Sequence, residues 1–152
     1  MPYATAEARQ SLLDTVADAI EQLAVALGAL GDSYDQLDEQ SAERMEAQLF
    51  RPVQLAYGRL QRTHASFAER HALVAASFAR PPAGAPSKGA KVFLERAAQA
   101  VANADHTLAE LQDSMLPVEV GDVELRDGLR EVRELLGPLG PRTRELVRLF
   151  GR

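Results

Sequence analysis

Apolar side chains recur every three or four residues along most of this chain. The first run steps alternately by three and four, which is the heptad spacing of a helix whose apolar edge faces one partner surface. This edge consists of Leu13, Val16, Ile20, Leu23, Leu27 and Leu30. No segment alternates apolar and polar residues over the length that a sheet strand needs. The spacing therefore predicts an all-α protein, with a first helix from about Thr5 to Leu30 that Gly31 ends.

The second helix is the longest that the pattern predicts, and it contains a proline. Its first part is acidic, and after Pro52 a regular apolar edge continues as far as Phe78. That edge consists of Val53, Tyr57, Leu60, His64, Phe67, His71, Val74 and Phe78. Because proline lacks an N–H and collides with the carbonyl of Gln48, we expect either a kink in a helix over 33–79 or a break near Arg51.

Three further helices are predicted beyond a loop over 80–89 that contains three prolines and two glycines. The third helix spans about 88–115 and has an alanine-rich apolar edge, which allows its neighbours to approach closely. Residues 118–122 are interpreted as an extended turn, and Asp122 is suited to cap the fourth helix. A short final helix is expected over 142–150.

These elements predict a single domain over 1–152, because 152 residues are close to the usual size of one apolar core. The expected architecture is an elongated antiparallel four-helix bundle with coiled-coil packing. Its long second helix is kinked near Pro52, and a short fifth helix lies at the C-terminus. A straight helix over 33–79 would be longer than its neighbours. Its overhanging half then needs cover from other helices or from a second chain.

Composition and motifs argue against several kinds of chemistry. The chain has no cysteine, which excludes disulfides, thiolate metal sites and a cysteine nucleophile. A net charge of -5 argues against a nucleic-acid binder. No apolar run approaches the roughly 20 residues of a membrane span, and no secretory signal is recognisable, so we expect a cytoplasmic protein. Without a nucleophile elbow or a metal-ligand spacing, we expect no catalytic residue, metal or cofactor, and no enzyme.

Two histidines stand on the apolar edge of the second helix. Because His64 and His71 are seven residues apart, they lie about 10 Å apart along a helix axis, too far to share one ion. Hydrogen-bonded core histidines are the first interpretation of the pair. A pH-sensitive element is a second interpretation. A small-ligand or haem site built by Tyr57, His64 and His71 around a cavity is a third.

Charged side chains are grouped in blocks. Residues 1–50 hold ten acidic and two basic side chains, whereas 51–104 hold eight basic and two acidic ones. A stripe of arginines lies opposite the apolar edge of the second helix: Arg51, Arg59, Arg62, Arg70 and Arg80. The acidic counterpart is Asp35, Asp38, Glu39, Glu43 and Glu46. Both groups are candidate partner-binding surfaces, with solvated outer faces as the alternative interpretation.

Taken together, the continuous apolar edges and the charge blocks predict a non-enzymatic interaction or assembly protein. We expect it to form a homodimer or to bind another helical protein. The alternative is a helical bundle that binds a small ligand or haem through Tyr57, His64 and His71.

Overall fold

A computed structural model describes residues 5–79 and 89–150, and in these ranges the only regular secondary structure is helical. The helices are α1 (Ala6–Tyr34), α2 (Glu39–Met45), α3 (Arg51–Arg70), α4 (Ala90–Asp113), α5 (Leu116–Val120), α6 (Val123–Leu136) and α7 (Leu139–Phe150). A π-helical turn, Glu46–Phe50, joins α2 to α3 without a gap. The described residues therefore form five longer helical rods and the single-turn α5, which confirms the all-α prediction.

Side chains from all of the longer rods meet in one apolar core. The predicted edge of α1 is buried along its whole length. Helix α1 packs mainly against α4, and α3 packs mainly against α6. The α4 face is rich in alanine, with Ala97, Ala100 and Ala104 all buried, and such small side chains allow the two helix axes to come close.

Helix α1 continues past the glycine that was predicted to end it. Gly31 lies within the helix, which extends to Tyr34. The Ser33 side chain is buried and its hydroxyl donates to the Leu30 carbonyl over 2.7 Å. A helical glycine costs only about 1 kcal/mol relative to alanine, so it does not stop a helix whose neighbouring residues are buried.

The rod formed by α2, the π turn and α3 begins later than predicted and is not broken at Pro52. Asp38 caps α2, because its carboxylate accepts from the Ser41 backbone N–H over 2.8 Å. The π turn directly precedes Pro52. The Gln48 carbonyl cannot receive a hydrogen bond from Pro52, and it accepts one from the guanidinium of Arg142 on α7 instead, over 3.2 Å.

Helix α3 ends at Arg70, so the predicted extension of this helix to residue 79 is wrong. Ala72 adopts a left-handed conformation with φ 55°, and the Leu73 N–H donates to the Ala68 carbonyl over 2.8 Å. This is a Schellman ending, which satisfies the last carbonyls of the helix. Beyond it the helical edge does not continue: Val74 is 88% exposed, whereas Leu73 and Phe78 still pack against the core.

The connection between α4 and α6 is also helical, although an extended turn was predicted there. The short helix α5 lies between two left-handed residues, Met115 with φ 67° and Gly121 with φ 76°. Asp122 caps α6 as predicted, accepting from the Leu125 N–H over 2.8 Å. Helix α7 starts at Leu139, earlier than predicted, because Pro141 lies in its first turn, where a helix does not need that N–H.

Candidate functional site

The buried carboxylate of Asp122 joins the end of α3 to the start of α6. It accepts from the Arg70 guanidinium over 2.6 and 3.0 Å and lies 2.8 Å from Nε2 of His71. Because an ionised carboxylate can only accept, His71 donates in this bond. Together with the Leu125 cap, these contacts use both carboxylate oxygens, and the Asp122 side chain is only 6% exposed.

The charge on Asp122 is stabilised by these contacts. Burial raises the pKa of this carboxyl, but hydrogen bonds from Arg70, the Leu125 N–H and His71 outweigh burial and bring the pKa below its ordinary value. The same contact raises the pKa of Arg70 above its ordinary value. The arrangement therefore works as an electrostatic clamp between two helices, with the oxygens of Asp122 already engaged by the protein.

Two arginines of the predicted stripe are occupied within the chain. Arg59 donates to Glu131 over 2.6 Å, and this contact lowers the pKa of Glu131. Arg70 donates to Glu124 over 2.6 Å in addition to Asp122. These side chains border a polar groove of about 300 Å³ between α3 and α6.

The remaining stripe residues have different surroundings. Arg51 and Arg62 are exposed, and neither forms an ion pair with another described residue. The charge of Arg62 makes a small contribution to the lowering of the pKa of Glu131. Arg80 lies outside the described residues. Of the four described stripe arginines, Arg59 and Arg70 are therefore paired with acidic side chains of the Asp122–Glu131 segment, and Arg51 and Arg62 are not.

The predicted acidic surface is left largely available. Asp38 is the exception, since it caps α2 and its pKa is lowered by the Ser41 N–H. The other four acidic candidates form no ion pair within residues 5–79 and 89–150. They are Asp35, Glu39, Glu43 and Glu46.

His64 and His71 have separate environments. His64 is buried on α3, and the ring of Phe78 lies edge-on to it with 5.1 Å between ring centroids. Burial lowers the pKa of His64, and the charge of Asp14 on α1 opposes that effect in part. His71 lies beyond α3 and packs on Phe67. Among the described residues no hydrogen bond joins these histidines to each other or to Tyr57.

An apolar groove that sequence analysis missed lies between α4 and α7. This α4/α7 groove has a volume of about 570 Å³ and a mainly apolar lining. Its lining residues are Glu95, Ala98, Thr143, Arg144, Val147 and Arg148. The only sequence signal was the pair of arginines at 144 and 148 on either side of Val147. These arginines indicate a groove only when the packing of α7 on α4 is known.

A second apolar groove lies where α1 meets α2 and the π turn. This α1/α2 groove has a volume of about 290 Å³ and is lined by Leu30, Gly31, Tyr34, Met45, Glu46 and Phe50. Tyr34 stands at its border and is 47% exposed. The hydrogen bond from Arg142 to Gln48 connects α7 to the π turn that borders this groove. Both grooves therefore lie at the same end of the molecule.

Other kinds of site are not seen in the described part of the chain. Within residues 5–79 and 89–150, no three acidic or histidine side chains group closely enough to hold a metal ion. Of the helices in these ranges, none combines the length and the apolar character that crossing a bilayer requires. Comparisons of the chain with protein-family models, with curated proteins and with solved structures found no match.

Proposed function

We propose that this protein is a non-enzymatic interaction protein that self-associates as a homodimer. One observation carries the proposal: two grooves with mainly apolar linings open to solvent at the same end of the molecule. Apolar surface that is grouped in this way and bordered by charged side chains is typical of protein–protein contact sites. Burying it against another copy would remove that surface from water.

The contacts of the histidines favour assembly over ligand binding. Haem iron bound by one of these histidines would need an imidazole nitrogen directed toward it. Nε2 of His71 is bonded to Asp122, and the ring of His64 packs against Phe78. The proposal that Tyr57, His64 and His71 form a ligand site therefore draws no support from these contacts.

We also propose the finer architecture that the apolar spacing predicts. In it, α1, the α2–α3 rod, α4 and α6 form an elongated antiparallel four-helix bundle, bent near Pro52, with α7 added at one end. Two ion pairs support an antiparallel arrangement of α3 and α6. Arg59 pairs with Glu131, and Arg70, which is later in α3, pairs with Asp122, which is at the start of α6. We also propose that the protein is cytoplasmic and that it does not bind nucleic acid. Both proposals rest on composition alone.

Light scattering over a range of protein concentrations tests the assembly proposal. We expect the weight-average mass to rise toward twice the 16.5 kDa of one chain as concentration increases. A mass that stays at one chain up to several hundred micromolar would overturn the proposal. An absorbance spectrum of the same sample tests the alternative function, haem binding. Bound haem absorbs strongly in the visible range, so such absorbance would favour ligand binding.

A further inference from the structure

We propose that the α4/α7 groove of one copy receives Tyr34 and the neighbouring carboxylates of a second copy. This inference rests on the proposed self-association and specifies the surfaces that carry it. The contact is reciprocal, so that each copy supplies one groove and one Tyr34. Three features of the described residues support it: charge, the exposure of an aromatic anchor, and the position of both surfaces at one end of the molecule.

The two surfaces carry opposite charge. Arg144 and Arg148 are exposed on the α4/α7 groove, and Arg144 forms no ion pair with another described residue. Arg148 is paired with Glu145, and the groove residue Glu95 lies 3.9 Å from Lys91, so the free charge at the border of the groove is positive. On the other surface, Glu46 lines the α1/α2 groove beside Tyr34 and has no cationic partner in the described ranges. Such complementarity favours correct docking over other orientations.

Tyr34 has the properties of an interface anchor. Its side chain is 47% exposed at the end of α1, whereas most other large apolar residues of α1 are buried. Tyrosine combines a large apolar ring with a hydroxyl, and it is enriched among residues that dominate binding energy. The apolar side chains of Ala98 and Val147 in the α4/α7 groove suit the ring, and Arg144 at the groove border is a donor for the hydroxyl.

We propose that the reciprocal contact closes into a dimer. Within one copy, the hydrogen bond from Arg142 to Gln48 links α7, which carries the basic surface, to the π turn, which carries Glu46 of the acidic surface. In the proposed two-fold arrangement, each surface meets its complement on the second copy. Both contacts are then satisfied in a dimer, and no open chain results.

Two substitutions on opposite sides of the contact test the proposal by sedimentation velocity. Tyr34→Ala and Arg144→Glu are each expected to raise the dimer dissociation constant at least about tenfold. Arg126→Glu on α6 is the matched control, since Arg126 is exposed, forms no ion pair with another described residue and undergoes the same change of charge. Combining Arg144→Glu with Glu46→Arg is expected to restore much of the affinity. Circular dichroism checks that each variant is folded.

The outcomes separate this inference from the function on which it rests. A monomeric wild-type protein overturns both. A wild-type dimer that neither Tyr34→Ala nor Arg144→Glu weakens overturns only the docking surface and leaves the homodimer in place. Equal weakening by Arg126→Glu, or a failure of the charge swap to restore affinity, also overturns the surface. Assemblies larger than two chains overturn the two-fold arrangement.

Discussion

Gly128 on α6 lies so close to Thr63 on α3 that a Cβ atom at Gly128 would come within 2.2 Å of the Thr63 hydroxyl oxygen. Thr63 has little freedom to move aside. Its hydroxyl donates to the Arg59 carbonyl over 2.9 Å and accepts from the Arg59 guanidinium over 3.1 Å. The absence of a side chain at Gly128 is therefore what allows α3 and α6 to approach each other here.

We predict that Gly128→Ala lowers the free energy of unfolding by about 1–3 kcal/mol, because the added methyl group overpacks this contact. The loss should occur although alanine favours a helix over glycine by about 1 kcal/mol. Urea denaturation measures it. Gly31→Ala is the control, since nothing lies within 4 Å of a Cβ at Gly31, and it should stabilise the protein slightly. A Gly128→Ala variant as stable as the wild type would contradict the close approach.

Asp122→Asn is expected to destabilise the protein by about 1–3 kcal/mol, because it weakens the charged hydrogen bonds to Arg70 and His71 while an amide oxygen can still cap α6. Asp122→Ala should destabilise the protein more than Asp122→Asn, because it also removes the cap of α6. Glu124→Gln changes an exposed partner of the same arginine and should have little effect. Equal losses in the Asp122→Asn and Glu124→Gln variants would argue against a clamp centred on Asp122.

The contribution of Asp122 should disappear in acid. Burial raises the pKa of this carboxyl, but the hydrogen bonds from Arg70, Leu125 and His71 leave the pKa of the folded state below the ordinary value of 3.8. Its stabilisation is therefore complete above that value and is lost as pH falls through the lower pKa of the folded state. The stability difference between wild type and Asp122→Asn should shrink as pH is lowered below about 4. A difference that does not vary with pH would contradict this assignment.

His64 should make the protein less stable in mild acid. Burial lowers the pKa of His64 from its ordinary value of 6.5, so the unfolded chain takes up this proton at a higher pH than the folded chain. Stability due to this residue then declines as pH falls below 6.5 toward the pKa of the folded state. NMR titration of the imidazole signals measures the shift. Phe78→Ala should move the pKa upward by admitting water, and an unchanged value would show that Phe78 does not shield His64.

The hydrogen bond from Arg142 to Gln48 should depend on the proline at position 52. Arg142→Ala is expected to cost about 0.5–1.5 kcal/mol in the wild-type background, because the Gln48 carbonyl loses a donor. In a Pro52→Ala background, the new backbone N–H can serve that carbonyl, so the same change should cost less. A double-mutant cycle measured by urea denaturation gives the coupling. Identical costs in both backgrounds would contradict it.

Helical periodicity predicted the parts of the fold that depend on local spacing. The apolar edge of α1 follows from residues that recur every three or four positions, and the cap at Asp122 follows from its residue type before an apolar helix. The end of α3 could not be predicted in this way. Its left-handed residue is Ala72, a type that rarely adopts this conformation, and the apolar spacing continues past it to Phe78.

Contacts between distant segments explain why the candidate site was predicted only in part. The arginine stripe was recognised, but the clamp joins His71 to Asp122 across 51 residues, and only the packing of α6 on α3 brings them together. The two grooves depend in the same way on where α7 and α2 lie. Spacing along one helix carries no information about such pairings.

Sedimentation velocity of the wild-type protein at increasing concentration tests the central claim most directly. We predict a reversible shift from one chain to two, which weakens as salt is added because Arg144 and Glu46 contribute through charge. A single species with the mass of one chain at every concentration and salt level would contradict the account.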